Sequence, residues 1–389
     1  MKASRWRRSN APSYSGAPGW SEILGRPDWI HALLLQWDGE LEAARERLQA
    51  LRQDAVNRGD EHSLPSILFQ LARVELLTGD WERARRHGIE CYETTLHSGQ
   101  AGERPYALTI QALVDAHLGL VEPAWARIDE GLALARQLGV QSAEFELLAT
   151  RGLLELSLAD ARQADRTFSE LAAMVKAFGF GEPALFRFHS DAIEAKIALG
   201  DRREAQALLE DLEQVGAALQ RPWVLAVAGR CRGLLSAADG DLGASYRAIE
   251  RALELHGRLG EPFEHARTLL VLGSVQRRDR KKSASRESLG AALEIFDTLG
   301  AAVWASRTRG GAGACRRTGP GGGPDADRGA HRQADRLGPY LPGDGRRHGR
   351  HPGSGSGSVG SCWHRPSAPR QCPQLHLPIT DTGVLHHRT

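Results

Sequence analysis

The chain has 389 residues, 41% of them hydrophobic, and 50 Lys plus Arg against 48 Asp plus Glu. No run approaches the roughly 18 apolar residues of a membrane span, and residues 1–25 lack the apolar core of a signal peptide, so a soluble protein of the cytoplasm is expected. The formal charge of +2 conceals a division: up to Arg309 the acids exceed Lys plus Arg by four, and the remainder carries an excess of six positive charges. An acidic main portion offers no basic stripe for nucleic acid.

Residues 1–25 are predicted to be a flexible N-terminal segment. From there a landmark recurs every forty residues: an apolar stretch, a small residue that is usually Gly, a charged turn, and Ala five positions on. It is seen as Gly39 with Ala44, Gly79 with Ala84, Gly119 with Ala124, Ala159 with Ala164, Gly200 with Ala205, and Gly240 shifted onto Ala244. A second ladder runs through Gly59, Gly99, Gly139 and Gly179, slips at Gln220, and resumes at Gly260 and Gly300. These read as helix stops, because Gly tolerates the left-handed conformation that closes a helix. Pro65, Pro105, Pro183, Pro222 and Pro262 follow the stops, where a fixed φ and a missing N–H suit the first turn of a helix.

Within the second repeat, Leu68, Leu71, Ala72, Leu76 and Leu77 fall mostly at spacings of three and four, and Ala84, Ile89 and Leu96 are assigned to the apolar stripe of the partner helix. Ala84, Ala124 and Ala164 suit close helix crossings, and Asp80, Asp160, Asp201 and Asp241 suit N-caps. A forty-residue period of paired helices defines a solenoid, since one hairpin cannot bury its apolar face alone. The fold class predicted is therefore all-α, an α-solenoid of about seven helical hairpins over residues 26–309.

At Gly310 the composition changes: from there to Thr389 there is no Glu, Lys, Met, Asn or Phe, and no helical period survives. Residues 310–389 are expected to be a disordered tail, because so little apolar surface does not offset ordering entropy. The composition also matches GC-rich DNA translated out of frame. Shifted by one base, the codons of Gly338 to Arg346 permit Gly-Leu-Thr-Tyr-Arg-Glu-Met-Ala, which resembles the opening of a LuxR-type helix-turn-helix. The expectation is a frameshift near Ser306 that removed a DNA-binding domain; resequencing the locus tests it.

The stretch Arg221 to Arg309 strengthens that resemblance through Arg221-Pro222-Trp223, Arg230 to Leu235, Ala266 to Gly273 and Leu293 to Phe296. It is similar to the tetratricopeptide-like region of the MalT-like, ATP-dependent LuxR-family transcriptional regulators of actinobacteria, and the similarity extends back to about Trp29. The resemblance implies a helical-repeat sensor lying between a nucleotide-binding switch and a DNA-binding domain. It implies a protein or small-molecule effector in the solenoid groove, with DNA a partner only of an intact relative. A phosphate-binding loop needs Gly-Lys-Ser/Thr, and none of the five Lys follows a Gly, so no ATPase is expected within this chain. A free-standing adaptor that binds a peptide or protein is the alternative reading.

No enzymatic motif stands out, and no catalytic, cofactor-binding or metal residue is assigned. Cys91 and Cys231 lie within helical patterns as small buried hydrophobes. His117, His256 and His265 lie near helix ends, where capping or surface roles are expected. Arg277, Arg278, Arg280, Lys281 and Lys282 read as a solvated turn rather than a phosphate contact. Cys362, His364, Cys372 and His376 have the donor types for zinc but no ordered framework around them, so no metal is expected.

Overall fold

A computed structural model describes residues 23–316, with side chains to residue 310. These residues form fifteen α-helices and no strand: α1 (Pro27–Asp38), α2 (Leu41–Arg58), α3 (Leu64–Thr78), α4 (Trp81–His97), α5 (Arg104–Leu118), α6 (Val121–Leu138), α7 (Gln141–Ser157), α8 (Ala161–Ala177), α9 (His189–Leu199), α10 (Arg202–Leu219), α11 (Pro222–Asp239), α12 (Leu242–Leu259), α13 (Pro262–Arg278), α14 (Lys282–Leu299) and α15 (Ala302–Arg316). They pair as seven successive hairpins followed by α15. Helix α15 continues past Arg309, where the sequence places the end of the repeats. At the other end Ile23 is buried in the first hairpin, so the ordered array begins earlier than residue 26.

The turns repeat more strictly than the glycines do. A left-handed residue recurs every twenty positions from Gly39 to Gly300, with one inserted residue between Gly179 and Gly200. Ala159, Gln220 and Arg280 occupy this geometry at φ 64°, 52° and 60° where the glycine ladder breaks. Asp80, Asp160, Asp201 and Asp241 accept the N–H of Arg83, Gln163, Glu204 and Ala244, as N-caps do. Each such cap contributes about 1 kcal/mol.

The small residues mark where outer helices cross inner ones. Ala44, Ala84, Ala124, Ala164 and Ala205 are fully buried, but the sixth member is Ser245 and not Ala244. The Ser245 hydroxyl donates to Gly233 O at 2.8 Å, and Ser285 repeats the arrangement on Gly273 O at 2.7 Å. The approach is close because the inner helix has glycine there: a Cβ on Gly233 would lie 2.4 Å from the Ile249 side chain.

Two expectations are corrected. The buried face of α4 is Trp81, Ala84, Gly88, Cys91 and Thr95, which leaves Ile89 and Leu96 exposed on another face. Pro183 does not open a helix but lies in a turn segment, and α9 starts only at His189. Phe178, Phe180 and Phe186 cluster there with Phe145, and Phe188 stacks on Phe168, so aromatic packing replaces the first helical turns.

The array curls until its ends meet. Leu259 rests on Gly39 and Leu299 on Gly79, Arg221 pairs with Asp38, and Val303 covers Gly119. Both leucine contacts join residues 220 positions apart, so one superhelical turn takes about five and a half repeats. The last repeats therefore lie edge to edge against the first.

Candidate functional site

The concave side of a solenoid is where a binding surface is expected, and here the inner helices line it. No residue from Ser142 to Ser157 on α7, or from Pro222 to Ala238 on α11, is fully exposed. The curl brings opposite inner helices within side-chain reach, and the chain's own charged and aromatic groups occupy the space. α13 meets α3, and α15 meets α5.

Two layers can be distinguished. The first is ionic. Arg230 on α11 donates through Nε to Glu194 on α9 at 2.7 Å and also binds Glu264 on α13. Arg267 on α13 bridges Asp191 and Glu194, the latter at 3.0 Å, and reaches Glu264 at 3.2 Å. Arg187 donates to Glu261 at 2.8 Å, and Arg73 on α3 pairs with Glu146 on α7. The Arg73–Glu146 and Arg267–Asp191 pairs therefore tie inner helices two repeats apart across the concave face.

The second layer is aromatic. Trp81, His117, Phe263, Phe296 and Trp304 pack with ring centroids between 4.6 and 6.0 Å apart. Arg267 and Arg307 each lie 4.8 Å from the Trp304 ring, and Arg187 lies 4.2 Å from that of Trp223. Arg307 also donates to Leu156 O at 2.9 Å, which fastens α15 to the end of α7.

Burial sets the protonation of these groups. Loss of water pushes the Asp191 carboxyl up to about 6, against the pull of Arg267. Burial also opposes ionisation of Glu264, but Arg230 and Arg267 outweigh it and hold that carboxyl well below the ordinary range. Burial raises Glu261 and Glu146 despite their arginine partners. It lowers His117 to about 4 and His256 to about 3, so both imidazoles are neutral at pH 7.

Arg230 Nη2, Glu261 Oε1 and both ring nitrogens of His256 are buried without a hydrogen-bond partner in the protein. Buried polar atoms are rarely left in this state, and these lie packed inside the array: Arg230 on α11, His256 on the outer helix α12 and Glu261 at the start of α13. Fixed guanidinium–carboxylate pairs of this kind suit recognition of a ligand's own carboxylates or cations.

The sequence placed some of these residues correctly and missed others. Cys91 and Cys231 are buried, contact Pro65 O and Ser190 O, and have their thiols pushed up by burial. The Arg277–Lys282 run forms the turn between α13 and α14, where Lys281 pairs with Asp279 at 2.8 Å and covers the Tyr246 ring. His117 and His256 are corrections: both are buried, His117 because the curl brings Phe263 of α13 against it, and His256 because the adjacent helices α11 and α13 pack against α12. His265 is half-buried and stacks on His256. The interior acids and arginines were not singled out, although Glu194, Arg230 and Arg267 sit amid apolar helical pattern, which is the signal that marked them. Cys362, His364, Cys372 and His376 lie outside the described residues.

Among the described residues no group of His, Cys, Asp and Glu is arranged to hold a metal ion, and no helix is long and apolar enough to cross a membrane. No protein-family model and no curated protein matches the chain. Solved structures do. The chain is similar to a Rap protein crystallised in complex with Competence and Sporulation Factor, at 13% identity and a TM-score of 0.51, covering 75% of this chain and 74% of that one. It is also similar to a tetratricopeptide repeat protein from Parabacteroides merdae, at 16% identity and a TM-score of 0.38, covering 73% of this chain and 97% of that one. The fold is a tetratricopeptide-like helical repeat.

Proposed function

We propose that the array is an interaction module that binds a peptide or protein segment on its concave face and performs no catalysis. The observation that carries this reading is the set of arginine–carboxylate pairs reaching across that face, Arg73 with Glu146 and Arg267 with Asp191. A ligand segment that carries both a carboxylate and a guanidinium or ammonium satisfies both halves of an opened pair, so that neither charge is left buried without a partner. The Rap protein of similar fold was solved with a bound factor, which supports the same use of the fold here.

The narrower form of the proposal makes the module the sensor arm of a LuxR-family transcriptional regulator that does not bind DNA as this chain stands. Its support is the sequence resemblance over Arg221 to Arg309. The free-standing adaptor is favoured instead by the structural likeness, which is to proteins of other kinds.

The test is titration of the full chain with a fluorescent library of short peptides, followed by the best binder against Arg73→Ala. Loss of one cross-face pair is expected to weaken binding by about tenfold or more. A chain that binds no peptide, or binds it equally with Arg73→Ala, contradicts the concave-face reading. Retarded migration of promoter DNA at physiological salt contradicts the claim that the chain leaves DNA alone.

A further inference from the structure

The seam where the array meets itself shows how its edges are used. The corner ending five of the seven outer helices carries an apolar residue at one register, Leu138, Phe178, Leu219, Leu259 and Leu299, with Arg58 and Ser98 in that place after α2 and α4. Leu259 is 6% exposed because it lies on the Gly39 turn, with Leu299 placed likewise on Gly79. Leu138 and Phe178, at the same position two to four repeats earlier, are 38% and 45% exposed. On the opposite edge the same imbalance appears. The Gly39, Gly79 and Gly119 turns are covered, whereas nothing lies within 4 Å of a Cβ placed on Gly200 or Gly240, and Leu199 beside them is 41% exposed.

The uncovered corners and uncovered turns are therefore the two halves of a contact already made inside the molecule. Both rows keep the forty-residue spacing, so they mate in register when one array is set on the end of another. We propose that a second copy of this chain docks head-to-tail, with the Leu138 and Phe178 corners of one copy on the Gly200–Gly240 turn edge of the next. The two surfaces differ, so the contact is heterologous and each added copy presents a fresh edge.

Sedimentation velocity of the full chain over a range of concentrations tests this. The wild type is expected to exceed the mass of one chain as concentration rises. Leu138→Glu removes one edge and Leu199→Glu the other, while Phe178 is left in place because it supports the Phe145 cluster. Each variant alone is expected to self-associate at least about tenfold more weakly, with unchanged helical circular dichroism. An equimolar mixture of the two variants is expected to give pairs and nothing larger, since each supplies the edge the other lacks. A wild type that stays at one chain at every concentration overturns the proposal. So does a mixture without pairs, or a double variant that assembles like the wild type.

Discussion

Ala159, Gln220 and Arg280 hold left-handed backbone at positions whose counterparts are mostly glycine. A side chain in that region costs about 1–2 kcal/mol, and the greater freedom of unfolded glycine offsets about 0.5–1 kcal/mol of the gain from replacing it. Ala159→Gly is therefore expected to stabilise the array by up to about 1 kcal/mol. A urea midpoint that rises with unchanged slope is the check. Gly233 shows the reverse requirement, since it lies where helix backbone and side chain nearly touch. Gly233→Ala drives a methyl into Ile249 and is expected to cost about 1–3 kcal/mol in the same measurement. The glycine ladder was legible from residue identity because turn chemistry is local. The burial of His117 was not, since it comes from Phe263, far away in the chain.

At the scale of elements, the ion network joins α9, α11 and α13 more firmly than their sequence separation suggests. Asp191 is the group whose protonation depends most openly on this packing; Arg267, Glu194 and Glu264 face it. Its folded pKa is about 6, and an unfolded Asp titrates near roughly 4. The native state thus holds the proton more tightly, so the stability this group contributes is present below about pH 4 and is lost as pH rises through 6. Asp191→Asn removes that dependence while keeping an acceptor for Arg267. Denaturation across this range is expected to show the stability difference between variant and wild type moving in the variant's favour from about pH 4 to about pH 7. A difference that stays flat with pH removes Asp191 from the titrating network. The helices and caps were legible because period and Asp spacing are printed in the chain. The short α9 was missed because its shape follows from phenylalanines meeting Phe145 and Phe168 of the preceding hairpin.

For the whole array, the seam between early and late repeats decides the width of the concave face. Leu259 belongs to that seam, and a carboxylate in its place loses the apolar contact with the Gly39 turn. Leu259→Asp is expected to loosen the closure while leaving the hairpins helical, since most contacts in a solenoid are made between neighbours. Small-angle scattering would then give a larger radius of gyration with unchanged circular dichroism. A variant as compact as the wild type would show that the inner ion pairs alone hold the curl.

The chain by itself determined the helices, their stops and caps, and the forty-residue unit, because each depends on residues within a turn or two of one another. It also carried the small-residue crossings, apart from the exchange of alanine for serine at Ser245 and Ser285. Only the tertiary structure decided how far the array curls, because curvature is the sum of small rotations at every hairpin junction and no single residue encodes it. That sum places Arg73 beside Glu146, Arg267 beside Asp191 and Leu259 over Gly39. The inner face is therefore a consequence of packing geometry accumulated over about 220 residues.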